Sequence, residues 1–372
     1  MGRFFDLVSD PVRSLGEFAP DKPESPVDHA VPLLKLNANE SPYGPSPKAV
    51  AAMRAVLEGS HLYPDDGATA LRRKLAQVHN TNPENVLIAN GTTALLGVIA
   101  RTLLRPGLNA LTSACSFISY PMVTQAAGGV LIQTPLREGG YDLAAILAAI
   151  DYDTRIVFLA NPNNPTGTLL DVATVDRFLQ SVPPHVIVIL DEAYYDYAHY
   201  FAAARGVKYS RSADYIGKDR NVVVLRTFSK AHGLAGMRVG YGIGPAELMA
   251  YFTRVQDMFA VSSVAQAGAV AASEDVEHIR YAVENNAKQA DWLTQEITSL
   301  GYEVATVWTN FISFDVNQEA REVARRVRAE GVLIRPLTAW GAPTSIRVTI
   351  GTHQQNQKFL QAFRKTMRCS GP

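Results

Sequence analysis

Between residues 86 and 243 the chain carries a series of short apolar runs, at 86–89, 110–112, 130–134, 155–160, 186–190, 222–225 and 239–243. Most stop at a polar or glycine-bearing turn, and helical periodicity fills several of the gaps. Runs of four to seven apolar, β-branched residues read as buried strands. Val186 to Leu190 are apolar at every position, which suits a central parallel strand covered on both faces. Strands alternating with helices dictate an open, mostly parallel α/β sheet, whose ligand lies beyond the strand C-termini. Asp142 and Asp171 are placed to cap helices, and Ser46-Pro47 opens another. Residues 71, 75 and 78 mark one apolar helix face. From about residue 246 the pattern becomes helical, with a long stretch over 275–300. Strands follow at 304–307, 311–314, 332–334 and 346–350, with a helix starting at Asn317 between them. The reading is a large domain over 46–270, a smaller α+β domain over 271–372, and an N-terminal arm with part of the small domain over 1–45.

The strand ends carry the chemistry. Residues 222–225 lead at once into Thr227-Phe-Ser229-Lys230 and, eight residues later, Arg238. An amine at the end of a core strand is a potential nucleophile, because desolvation lowers its pKa. Arg238 offers a planar fork suited to phosphate. Asn90-Gly91-Thr92-Thr93 opens a helix, and its backbone N–H groups and hydroxyls make a natural anion site. Asn164 follows the strand at 155–160, and Asp191 and Tyr194 follow the one at 186–190. A carboxylate at a buried strand end needs a cationic partner. Phe117 and Tyr120 could stack on a flat ring, although core packing is the commoner fate of such aromatics. The Gly240-Tyr-Gly-Ile-Gly244 run is not a dinucleotide loop: its spacing is wrong and Pro245 follows it. An amine, an acid, a phenol, an amide, an arginine fork and several hydroxyls together suit one ligand, pyridoxal phosphate. That ligand joins an aldehyde to a ring nitrogen, a phenolic oxygen and a phosphate.

Thr227-Phe-Ser-Lys-Ala-His-Gly-Leu-Ala-Gly-Met-Arg-Val-Gly-Tyr241, Asn161-Pro-Asn-Asn-Pro-Thr-Gly167 and Asp191-Glu-Ala-Tyr194 resemble, in order, the motifs of class I/II aminotransferases. Leu36-Asn-Ala-Asn-Glu-Ser-Pro-Tyr-Gly-Pro-Ser-Pro47 and Ser345-Ile-Arg-Val-Thr-Ile-Gly-Thr352 narrow the resemblance to the histidinol-phosphate aminotransferase branch. It implies the aspartate aminotransferase-like fold-type I and a pyridoxal 5'-phosphate cofactor. Lys230 would be the Schiff-base lysine, Asp191 the partner of the ring nitrogen, and Asn164 and Tyr194 the partners of the phenolic oxygen. Gly91, Thr92, Thr227, Ser229 and Arg238 would hold the phosphate. Phe117 would stack on the ring, in preference to Tyr120. Asn39, Arg335 and Arg347 would meet the substrate, Arg335 at its distal phosphate. Tyr63 would reach the cofactor phosphate of the partner in a homodimer. The chain departs from the family at Thr93-Ala94, where an acidic pair is usual, at Phe18 and at Met258-Phe-Ala-Val261. These positions border the substrate rather than the ring.

Composition limits the alternatives. The 372 residues carry 35 basic and 35 acidic side chains, so no charge excess points to nucleic acid or a membrane surface. Cys115 and Cys369 form neither a disulfide framework nor a zinc pattern. No signal-peptide pattern and no bilayer-length apolar run occurs, which favours a cytoplasmic enzyme. Phe4, Phe5, Leu7, Leu15 and Phe18 suit an arm that packs on the body or on a partner subunit. The expected reaction moves an amino group from histidinol phosphate or an aromatic amino acid to a 2-oxo acid such as 2-oxoglutarate. A decarboxylase of a phosphorylated amino acid is the alternative on the same cofactor, and a non-catalytic cofactor sensor is a third reading.

Overall fold

The computed structural model describes residues 7–13, 15, 33–218 and 220–368. Phe4, Phe5, Phe18 and Cys369 lie outside them. Seven strands form the main sheet: β1 (Val86–Ala89), β2 (Asn109–Ser113), β3 (Val130–Thr134), β4 (Thr154–Ala160), β5 (Ile187–Asp191), β6 (Val222–Thr227) and β7 (Gly240–Ile243). Their spatial order is β1-β7-β6-β5-β4-β2-β3. Only β7 runs against the others, pairing antiparallel with both β1 and β6.

Side-chain alternation explains why both faces are covered. Along β5 and β6, Ile189, Val223 and Leu225 join a core with helices Gly91–Leu103, Ser119–Ala126 and Ala246–Thr253. Val188, Leu190, Val222 and Val224 join the opposite core, with helices Leu143–Ala149 and Val172–Ser181. Each such side chain removed from water contributes about 1.5–3 kcal/mol. Burial on both faces fixes these strands at the centre of the sheet. The caps form as read: Ser46, Asp142 and Asp171 accept from the N–H groups of Ala49, Ala145 and Thr174.

A second sheet of three strands, β8 (Phe311–Asp315), β9 (Arg335–Pro336) and β10 (Ser345–Thr349), is ordered β8-β10-β9 and is antiparallel throughout. Helices Val276–Ser299, Ala320–Ala329 and His353–Arg368 pack with it around a separate apolar cluster. Leu34–Lys35 pairs in parallel with Val332–Leu333, so the chain's early segment is tied to this late one.

Three expectations are corrected. Residues 304–307 form no strand; Val304 makes a single bridge to Phe314, and a lone pairing cannot extend a ladder. Val78 is exposed, because it is the last residue of its helix and lies past the packed Leu71 and Leu75. The helix expected from Asn317 begins at Ala320, where the Glu319 carboxylate accepts from the Arg321 N–H. The two-residue strand Arg335–Pro336 was not anticipated; a proline there suits an edge strand.

Candidate functional site

Parallel register aligns the strand ends. Ala160 of β4 pairs with Asp191 of β5, and Asp191 pairs with Leu225 of β6. The loop at 161–167, the Asp191 carboxyl and the Thr227–Lys230 turn therefore open on one side of the sheet. Residues 37–39, from the segment tied to the small sheet, close over them. Together they line a cavity of about 1280 Å³ whose wall includes Thr92, Phe117, Asn164, Asp191, Tyr194 and Lys230.

Lys230 is half-buried, and its Nζ donates to the carbonyls of Ala38 and Asn39, both at 3.1 Å. Burial pulls its pKa down to about 7, helped by the Arg347 cation. The amine is thus partly neutral near pH 7. Its loop has no slack. A Cβ on Gly233, at φ +69°, would fall 2.1 Å from the Gly44 carbonyl oxygen, so only glycine lets the two loops meet.

Asp191 is buried, and burial raises its pKa to about 6. The Tyr120 hydroxyl donates to it at 3.2 Å and the Ala193 N–H at 3.2 Å, which opposes that rise. Behind the sheet, Glu192 pairs with Arg226, Nη2 to Oε2 at 2.8 Å, and the guanidinium lies over the Tyr195 ring. This buried pair joins the ends of β5 and β6.

A cradle lies at the start of helix Gly91–Leu103. Arg238 Nη1 donates to Ser229 Oγ at 3.2 Å, and Thr227 Oγ1 donates to the same oxygen at 3.0 Å. Arg238 itself has φ 53°, a left-handed backbone. Gly91 has φ +79°, and a Cβ there would sit 2.7 Å from Arg238 Nη2. Gly240 is pinned in the same way, its absent Cβ being 3.0 Å from the Thr92 nitrogen. Guanidinium, hydroxyls and open helix N–H groups thus converge where glycine leaves room, a donor set suited to a phosphate.

Arg347, on β10, is buried; it donates to Asn164 Oδ1 and, at 2.8 Å, to the Asn37 carbonyl. Its Nε has no hydrogen-bond partner, and burial lowers its pKa to about 10. Asn39, buried at φ 56°, donates to the Tyr194 hydroxyl at 2.8 Å and is held by Thr349. Arg335 lines the same cavity and donates to the Asn37 carbonyl at 3.4 Å. Phe117 faces the cavity, whereas Tyr120 is fully buried, edge-on to Phe117 and bonded to Asp191.

The structure therefore brings Asn39, Thr92, Phe117, Asn164, Asp191, Tyr194, Thr227, Ser229, Lys230, Arg238, Arg335 and Arg347 around one cavity, with Gly91 against Arg238. Tyr63 is the exception within one chain. It is 81% exposed and stacks on Phe259 at 4.4 Å, outside that lining. Sequence reasoning missed Tyr120 as the Asp191 donor, since an i+3 aromatic beside Phe117 looks like core. It also missed Arg321, Arg325 and Arg328, which line the outer cavity. Their spacing of four and three puts them on one helix face, a signal that was available.

The model of the family described as aminotransferase class I and II matches residues 31–363. Histidinol-phosphate aminotransferase 2 of Pseudomonas fluorescens (strain Pf0-1) is 40% identical over 371 residues, covering 98% of this chain and 99% of the relative. Histidinol-phosphate aminotransferase of Moorella thermoacetica is 40% identical over 360 residues, covering 96% and 92%. The crystal structure of histidinol-phosphate aminotransferase from Sinorhizobium meliloti in complex with pyridoxal-5'-phosphate superposes with TM-score 0.84 at 27% identity, covering 91% of this chain and 92% of that one.

Proposed function

The chain belongs to the aminotransferase class I and II family, and from that premise we propose that it binds pyridoxal 5'-phosphate and transfers the amino group of histidinol phosphate to 2-oxoglutarate. The observation that carries the cofactor assignment is the pairing of a half-buried Lys230, its pKa near 7, with a glycine-floored Arg238 cradle in one cavity. The relatives' names support the donor, as does the cation-rich cavity wall.

The residues fit the group in chemistry and in room. Gly91, Thr92, Thr227, Ser229 and Arg238 would hold its phosphate. Asp191 would face the ring nitrogen, Phe117 the ring, and Asn164 and Tyr194 the phenolic oxygen. When bound, the cofactor supplies an electrophilic carbon and an electron-accepting ring. The protein's own groups do the rest. Lys230, neutral in part at pH 7, can take and return the proton at the substrate Cα. Asp191 in the buried site is placed to keep a ring nitrogen protonated, and a cation there would draw its pKa back down. Arg347 would orient the substrate beside Asn164. Asn39 fixes the Tyr194 hydroxyl, so the phenol need not reorganise during the reaction.

A homodimer with shared sites belongs to this reading. It is supported by the exposed stack of Tyr63 on Phe259, beside exposed Leu62 and Met258. Tyr63 would then contribute to the partner's cofactor phosphate. Among the described residues no helix is long and apolar enough to cross a membrane. A cytoplasmic location is supported by Cys115 standing as a free thiol. A division into a large domain over 46–270, a small domain over 271–372 and an arm with part of the small domain over 1–45 is supported by separate apolar clusters, although helix Ser263–Glu274 crosses the 270/271 boundary and packs Ala272 with the large domain.

Product analysis tests the reaction. With histidinol phosphate and 2-oxoglutarate, the holoenzyme should form glutamate in equal measure to donor consumed. Carbon dioxide without glutamate, from a phosphorylated amino acid, would transfer the chain to the decarboxylase reading. No reaction with any amine would leave a cofactor-binding sensor.

A further inference from the structure

The sheet stops holding its loops together just where the site begins. Strands β2 and β4 pair in register only as far as Leu111 and Val157. Thr112 Oγ1 still reaches the Phe158 carbonyl at 3.0 Å. Beyond that point the chain leaves β2 through residues 114–118, which carry Phe117, and leaves β4 through residues 161–167, which carry Asn164. A polar chain takes over from the ladder. The Ala160 N–H donates at 2.9 Å to the hydroxyl of Tyr141, which lies on the short strand Gly140–Tyr141. Tyr141 and Ser116 share a hydrogen bond at 2.5 Å, and Ser116 Oγ donates to Asn163 Oδ1 at 2.9 Å. Asn163 Nδ2 donates to the Cys115 carbonyl at 3.0 Å and to Thr166 Oγ1 at 2.8 Å. Tyr141, Ser116 and Asn163 are all buried, and none of them lines the cavity. The directions of these bonds are forced. A carbonyl only accepts, so the Cys115 carbonyl fixes which end of the Asn163 amide carries the N–H groups. The Asn163 oxygen then takes the one Ser116 proton, and the Tyr141 proton is left for Ser116. A buried polar network with its donors and acceptors paired rigidifies a single arrangement.

We propose that Tyr141, Ser116 and Asn163 are positioning residues for the reaction: they clamp the loop that carries Phe117 to the loop that carries Asn164, and so fix the gap between the ring face and the amide. Phe117 follows Ser116 directly, and Asn164 follows Asn163 directly. The bond between Ser116 and Asn163 therefore joins the two backbones one residue away from each functional side chain. Both side chains would meet the same flat ring, Phe117 on its face and Asn164 at its phenolic oxygen. Groups that act on one reacting molecule must hold their geometry to within about 0.5 Å, which needs support from behind. The phosphate cradle at Gly91 and Arg238 lies on other elements and is not part of this clamp. The proposal rests on the cofactor reading above. It adds three residues that touch neither cofactor nor substrate and act through their neighbours in the chain.

Ring affinity and visible circular dichroism of the full chain test the clamp. Tyr141→Phe keeps the packed ring and removes the first hydroxyl of the polar chain. Ser116→Ala removes the second, and serves as the other variant should Tyr141→Phe misfold. Each should lower the affinity for pyridoxal and for pyridoxal 5'-phosphate by the same factor, about three- to tenfold, because the ring site loosens and the cradle does not. The visible dichroism per bound cofactor should fall as well, since a ring free to tilt loses its fixed asymmetric surroundings. Tyr141 reaches Asn164 only through Ser116 and Asn163, so Tyr141→Phe and Asn164→Ala should be non-additive in pyridoxal affinity by about twofold or more. A network that serves the fold alone would lower the urea midpoint of both variants and leave the dichroism and both affinities unchanged. That outcome, or losses that simply multiply, would overturn the proposal. Failure of the underlying reading looks different: a wild-type chain that binds neither pyridoxal nor pyridoxal 5'-phosphate discards the cofactor, and the clamp's role with it.

Discussion

Gly91→Ala is the sharpest probe of the cradle. The substitution acts twice. At φ +79° an alanine sits in the left-handed region, which costs about 1–2 kcal/mol. Its Cβ would also fall 2.7 Å from Arg238 Nη2, well inside contact distance. The guanidinium must then move, and its 3.2 Å bond to Ser229 goes with it. A charge-assisted hydrogen bond contributes about 1.5–3 kcal/mol. The affinity for pyridoxal 5'-phosphate should therefore fall roughly ten- to a hundredfold. The assay is spectrophotometric titration of the apoprotein with pyridoxal 5'-phosphate and, in parallel, with pyridoxal. Pyridoxal lacks the phosphate, so its affinity should be the same in wild type and variant. Equal losses for both ligands would mean that the substitution deforms the ring site. No loss for either would refute the cradle.

Other expectations follow from the same geometry. Lys230 has its folded pKa depressed from 10.5 to about 7, so its burial penalty is full below pH 7 and is lifted as pH rises towards 10.5. Urea unfolding of the apoprotein should show wild type gaining on Lys230→Met by about 1–2 kcal/mol from pH 7 to 10, a value discounted for the half-exposed amine; a flat difference would contradict a depressed lysine. Glu192→Gln leaves Arg226 buried and unpaired, and should cost about 3–5 kcal/mol in denaturant unfolding; a loss under 1 kcal/mol would show that the pair is solvated. Asp191→Asn should lower kcat by at least about a hundredfold, and a rate within threefold of wild type would remove Asp191 from the chemistry.

The parts of this molecule that were legible in the sequence are those with local causes. Val222 to Leu225 could only be a core strand, and Asp191 follows an apolar run that leaves it at a strand end. The helix at Gly91 follows from its opening residues and apolar face. What was not legible depends on neighbours distant in sequence. Residues 304–307 have strand composition, yet only Val304 finds a partner, in Phe314. Tyr120 bonds Asp191 across 71 residues, and Asn39 meets Thr349 across 310. Arg328 and Trp340 lie on separate elements that only the folded small sheet brings to one cavity wall. Gly233 looks like a turn glycine in the sequence, but its necessity comes from the Gly44 carbonyl opposite it. The helix expected from Asn317 starts later for a simpler reason: Glu319 caps it, so its first turn begins at Ala320.

Lys230 is proposed to be the residue that carries the cofactor. Borohydride reduction of the holoenzyme, followed by peptide mapping with mass spectrometry, tests it directly. One phosphopyridoxyl label per chain is expected, on the peptide containing Lys230, and none after Lys230→Ala. A label on another lysine, or a reduced holoenzyme whose Lys230 peptide is unmodified, would contradict it.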